Sequence, residues 1–135
     1  MPKHLRTVVV GSVILAGAGI LLAQTSALTR TMVTKADVSV PGREAVVARV
    51  EIASGGVAGW HTHPGDEISY ITDGTATLML AGQPARQVAA GEGFVIPAGV
   101  VHNAKNDGAS AVKLVGVYVV EKGKPLASAA SAPAP

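Results

Sequence analysis

From Ala45 onward the chain is cut into short apolar runs by glycine, proline, aspartate and asparagine, and this punctuation limits the fold more than any other feature. The runs cover residues 45–53, 57–62, 67–72, 75–81, 86–89, 94–96, 100–104 and 111–120. Such near-regular spacing of short strands is the pattern of a sandwich or barrel. No helical stripe longer than the N-terminal apolar segment appears. Trp60, Tyr70, Phe94 and Tyr118 are all the aromatics there are, so a core must come from Val, Ile, Leu and Ala. That supply suits many short strands. Asp73-Gly74, set between alternating runs, reads as a tight hairpin whose two central residues need positive φ.

The two ends read differently. Residues 1–7 carry Lys3 and Arg6 and no acid, residues 8–23 are apolar but for Ser12, and Gln24-Thr25-Ser26-Ala27 follows. A basic start, a short apolar stretch and a small-residue site make a secretory signal peptide over 1–27. The competing reading is an uncleaved anchor, but a stretch of 16 residues broken by Gly11, Gly17 and Gly19 falls short of what a spanning helix needs. Without Lys3 and Arg6, 9 basic side chains face 9 acidic ones. The pI of about 9.2 then belongs largely to the signal, and gives no reason to expect nucleic acid or a membrane as partner after cleavage. With no cysteine, disulfides and thiolate metal sites are excluded. Residues 28–44 read as an N-terminal arm, ordered only in part, and 45–122 as the folded unit. The Ala/Ser/Pro tail at 123–135 reads as disordered, because it offers little apolar surface against its ordering entropy.

Three histidines lie beyond the signal. His61 and His63, two apart on a predicted strand, put both imidazoles on one face. Glu67 opens the next run after Pro64-Gly65-Asp66, and His102 follows Pro97-Ala98-Gly99. Neutral imidazoles with one carboxylate suit Zn, Fe, Mn, Co, Ni or Cu(II). On an octahedral ion, four such ligands leave two positions open. A bland alternative exists: a histidine in a β-core is ordinarily a hydrogen-bonded structural residue.

The surrounding spacing resembles both motifs of the cupin family. Gly55, His61-Thr62-His63, Glu67 and Gly74 match the first motif at every interval. Gly91, Pro97-Ala98-Gly99, His102 and Asn106 match the second, and 16 residues (75–90) separate the two. The resemblance implies an all-β, antiparallel jelly-roll barrel in which His61, His63, Glu67 and His102 meet around one divalent transition metal ion: Zn, Cu, Fe, Mn or Ni. It also implies a dioxygenase-like oxidoreductase acting on a small molecule, with Glu67 as the catalytic candidate, and a homodimer. A non-catalytic module that binds a small ligand or the metal, and an interaction domain that the ion merely stabilises, are the competing readings. Lys3 and Arg6 are not a twin-arginine pair, so the chain is expected to fold and find its metal in the periplasm or outside the cell. There, intrinsic affinity favours Cu and Zn over Mn and Fe. Histidine ligation predicts metal loss as pH falls below about 6.5.

Other residues read as structural. By strand parity Trp60 and Tyr70 point away from the metal face, Phe94 and Ile96 share a face and fill the core or else line the lumen, and Asn106 forms a turn. Lys105 and Lys113 read as solvated, and Arg49 and Glu51 as facing solvent or a barrel mouth.

Overall fold

The computed structural model describes residues 27–134; the expected signal at 1–27 lies, but for Ala27, outside the described residues. Ten strands follow one another: β1 (Leu28–Asp37), β2 (Arg43–Ile52), β3 (His61–Thr62), β4 (Gly65–Asp73), β5 (Thr75–Leu80), β6 (Arg86–Ala89), β7 (Gly93–Ile96), β8 (His102–Lys105), β9 (Val112–Glu121) and β10 (Ser128–Ala129). They form two five-stranded sheets, ordered β1-β2-β9-β4-β7 and β10-β3-β8-β5-β6, and all their pairings are antiparallel. This is the expected all-β architecture. Among the described residues no helix is long and apolar enough to cross a membrane.

Alternation builds the sheets. Along β2 the residues Glu44, Val46, Ala48, Val50 and Ile52 are buried in turn, and along β9 Val112, Leu114, Gly116, Tyr118 and Val120 are. The intervening side chains face outward, as the two-residue period of a strand requires. The inner faces make two apolar clusters: a large one including Val50, Ile71, Leu78, Val88, Phe94 and Leu114, and a small one of Val46, Ala48, Tyr118 and Val120. Burial of one such side chain stabilises the fold by about 1.5–3 kcal/mol.

The expected strands recur with ends shifted by a residue or two, apart from 57–62. There only His61–Thr62 is a strand, and Val57 makes an isolated bridge to Lys105. Three further expectations change. The hairpin at Asp73-Gly74 is instead a corner between sheets, since β4 pairs with β7 and β9 while β5 pairs with β6 and β8. Only Gly74 has positive φ (79°) there, so the type I′ geometry is not used. Second, the supposed arm contains a ten-residue strand, β1, in register with β2 from Leu28↔Ile52 to Asp37↔Glu44 with a shift between Met32 and Thr34. It lies at a sheet edge and is exposed over most of its length, so backbone pairing holds it and its sequence shows no apolar period. Third, the tail is ordered where it touches the barrel. Ser128 and Ala129 pair with Thr62 and His61, the Ala130 amide donates to the Trp60 carbonyl, and Leu126 packs on the smaller apolar cluster. One leucine and a few backbone bonds suffice, and composition does not register them.

Asn106 closes the barrel end in the turn-forming role expected of it. It is 1% exposed. Its Nδ2 donates to the carbonyls of Ile52, Ala53 and Ser110 at 2.9, 3.2 and 2.8 Å, and its Oδ1 accepts from the Gly108 amide at 3.0 Å. Asn106→Ala strands those groups and is expected to cost about 2–3 kcal/mol in urea unfolding. Asn106→Asp, which turns an acceptor toward three carbonyls, is expected to cost at least as much; an Asp variant of native stability would contradict this role.

Candidate metal centre

His61 and His102 stand directly opposite one another on β3 and β8, with ring centroids 4.1 Å apart. His63 follows β3 and still turns inward, its ring 4.9 Å from that of His61 and 5.0 Å from that of His102. Glu67 comes from the facing sheet, on β4, where it pairs with Ile96 and Tyr118. One ligand atom from each of these four residues lies within 4.8 Å of all the others, a group able to hold a metal ion. His63, His102 and Glu67 are only 3%, 3% and 6% exposed, whereas His61 is half-buried. The centre therefore opens on the His61 side.

Hydrogen bonding fixes which ring nitrogens face inward. Nδ1 of His61 lies 2.7 Å from the Gly59 carbonyl, Nδ1 of His63 2.6 Å from that of Leu126, and Nδ1 of His102 2.8 Å from that of Val100. A carbonyl only accepts, so each Nδ1 carries the proton, and in the neutral ring Nε2 is left with a bare lone pair. His63 Nε2 and His102 Nε2 are buried with no hydrogen-bond partner, yet they lie 2.9 and 3.3 Å from Glu67 Oε2. Lone pairs facing a carboxylate oxygen at these distances repel unless a cation sits among them. A proton can relieve one contact, and a metal ion all of them. Ser69 Oγ donates to Oε1 of Glu67 at 2.7 Å, which leaves Oε2 for the centre. The donor set and its orphaned nitrogens thus fit a divalent transition metal.

Burial raises the Glu67 pKa, but His102 and His63, each a hydrogen-bond donor to the carboxylate only when its Nε2 is protonated, together with the Ser69 hydroxyl outweigh it and hold the carboxyl well below its usual range. Burial lowers His61 to about 4, assisted by the neighbouring His102 and His63 and opposed by the Gly59 carbonyl and the Glu67 charge. Protons therefore compete for this one ligand well below the ordinary imidazole value.

Two flanking residues escaped the sequence reading. Tyr118 is 1% exposed, and its ring lies 4.8 Å from that of His63. Burial raises its pKa, reinforced by the Glu67 charge and opposed by Arg30. Gly116 makes room for it, since a Cβ there would come within 2.7 Å of the Tyr118 hydroxyl. The inward parity that Tyr118 shares with Leu114 was its available signal. Arg30, on β1, places its guanidinium carbon 5.5 Å from the centre of the Tyr118 ring; nothing in the segment read as an arm foretold this. Phe94 and Ile96 fill the core as expected, and both also line a narrow cavity of about 30 Å³ with His61, Glu67 and His102. Tyr70, expected to point away from the metal face and pack on the sheet, is exposed. Larger surface grooves of about 450 and 630 Å³ contain none of the four cluster residues.

A family model for the cupin domain matches residues 48–120, more than half of the chain, and the chain belongs to that family. Nectarin-1 of Nicotiana plumbaginifolia is 33% identical over 99 residues, covering 64% of this chain and 42% of its own length. Acireductone dioxygenase of Rhodopseudomonas palustris is 41% identical over 59 residues, covering 42% of this chain and 36% of its own. The chain thus spans about two fifths of the curated relatives it matches. A cupin-like protein from Thermotoga maritima superposes with a TM-score of 0.65 at 24% identity, over 79% of this chain and 78% of that one. A recombinant oxalate oxidase in complex with glycolate gives a TM-score of 0.62 at 26% identity, over 77% of this chain and 55% of that one.

Removing residues 125–135 takes away the carbonyl that orients His63, and is expected to weaken zinc binding about 10- to 100-fold in a competition titration; unchanged affinity would show that the tail has no hold on the centre. In the metal-free protein, His61 protonates near 4 when folded but near 6.5 when unfolded, so between these values the unfolded chain binds more protons. Stability is full above about 6.5 and falls as pH is lowered from there toward about 4. His61→Gln is expected to lessen this slope in thermal unfolding at pH 7 and 5.

Proposed function

We propose that this cupin is an exported oxidoreductase, dioxygenase-like in chemistry, that uses one divalent transition metal to act on a small organic molecule. The observation that carries the reading is the convergence of three imidazoles, each locked in the Nδ1–H tautomer, with the Glu67 carboxylate. His61, His63, Glu67 and His102 are the ligands. A bound ion would supply positive charge and open positions to a substrate and dioxygen. The oxidative class is supported by the likeness to acireductone dioxygenase and to oxalate oxidase. Glu67 is both ligand and catalytic proton acceptor. Ser69 donates to its other oxygen and steadies the carboxylate. Leu78, Phe94, Ile96 and Leu114 wall the inner cavity and keep bulk water from the reacting atoms.

The basic and apolar N-terminal segment supports export to the periplasm or beyond the cell. The outer face of the β4–β7 pair exposes Ile68, Tyr70 and Val95 by 46%, 52% and 60%, which supports a homodimer. Light scattering is expected to give the mass of two chains; the mass of one would overturn the dimer.

A binding module is favoured instead by one observation, the small inner cavity of about 30 Å³, which suits a few waters better than a whole substrate. Oxygen uptake decides between the readings. Protein isolated from its native compartment is expected to carry Zn or Cu, its copper-bearing fraction to consume oxygen with a small enol, thiol or dicarboxylic acid, and His102→Ala to bind metal more weakly and to lose uptake. Metal at full occupancy with ligand binding but no uptake would favour the module, and iron or manganese alone would overturn the metal assignment.

A further inference from the structure

Arg30 is where the structure goes beyond the metal ligands. It lies on β1 opposite Val50, half-buried between the exposed Thr29 and Thr31. Its side chain lines the inner cavity together with His61, Glu67 and His102. It also lines a second, more open groove of about 270 Å³ with Gly59, Trp60, His61 and the tail residues Ala127–Ala129. The two spaces share Leu28, Arg30, Ala58 and His61. Arg30 and His61 therefore stand where the outer groove meets the inner cavity, on the less buried side of the centre. Trp60, read from strand parity as turned from the metal face, forms part of the approach.

The chemistry of Arg30 is left incomplete by the protein. Its Nε is buried and has no hydrogen-bond partner, and among the described residues it makes no ion pair, unlike Lys35, Lys122 and Lys124. The guanidinium lies 5.5 Å from the centre of the Tyr118 ring and hydrogen-bonds to that side chain, which holds the group in place and leaves its Nε edge free for a ligand. Burying an unpaired cation is costly. A guanidinium edge presents two parallel N–H donors, and the group that matches them is a carboxylate.

We infer that Arg30 anchors the carboxylate of a small organic acid that enters through the outer groove and presents its carboxyl end to the centre. This rests on the metal reading above and names the substrate class for that site. The narrow inner cavity limits what passes Arg30 to a fragment of a few atoms, so longer substrates leave the rest of the molecule in the groove beside Trp60. Arg30 is a binding residue, and no proton or electron moves through it.

Cobalt(II)-loaded protein tests this through the visible absorption of the ion, with no turnover needed. Glycolate, the smallest 2-hydroxycarboxylate, and its neutral counterpart glycolamide are titrated into the wild type, Arg30→Met and Arg30→Lys, with cobalt stoichiometry and thermal unfolding measured alongside. Glycolate is expected to bind the wild type at least about tenfold more tightly than Arg30→Met, with Arg30→Lys between them. Glycolamide is expected to bind all three weakly and alike, and cobalt stoichiometry to stay the same. Equal glycolate affinity in the wild type and in Arg30→Met, with cobalt bound to both, overturns the anchor and leaves the metal reading intact. Absence of cobalt binding in the wild type overturns both. Should Arg30→Met not fold, Arg30→Lys decides: glycolate affinity equal to wild type with full cobalt loading counts against the anchor, because a single ammonium cannot reproduce the two-pronged contact.

Discussion

Three backbone carbonyls, those of Gly59, Leu126 and Val100, decide what the interior of this barrel can do. Each takes the Nδ1 proton of one histidine, so each ring turns its Nε2 lone pair inward. Once that is fixed, His63 and His102 have only the Glu67 carboxylate in front of them, an arrangement of acceptors that needs a positive charge at its centre. The polar cluster sits between the two apolar clusters: Phe94, Ile96 and Leu114 wall it on one side, while Tyr118 of the smaller cluster meets it on the other. A low-dielectric surround of this kind strengthens the demand for a cation.

The same constraint explains why the ends of the chain matter. β3 is two residues long and carries His61. It is held by a single register pair to β8 on one side and by β10 on the other. The tail supplies both that strand and the Leu126 carbonyl, and β1 supplies Arg30 over Tyr118. Segments that look peripheral in sequence are thus brought to the rim of the centre.

How much of this was legible varied with what each residue depends on. The convergence of His61, His63, Glu67 and His102 was, because every histidine after residue 27 falls at a cupin spacing and strand parity sends the imidazoles to one face. The central strands were, since burial on alternate positions leaves a two-residue period in β2 and β9. β1 and β10 were not. Their order comes from backbone pairing at sheet edges, which nearly any side chain permits. Asp73-Gly74 misled because positive φ at a glycine serves a corner between sheets as readily as a hairpin. Arg30 could not be placed at all without knowing that β1 lies beside β2.

X-ray absorption at the zinc edge of the zinc-loaded protein tests the convergence most directly. Three imidazoles and one carboxylate predict a first shell of nitrogen and oxygen at about 2.0–2.2 Å with the multiple-scattering signature of three rings, falling to two rings in His102→Ala. A wild-type spectrum with fewer than two imidazoles, or one unchanged by that substitution, would contradict the account.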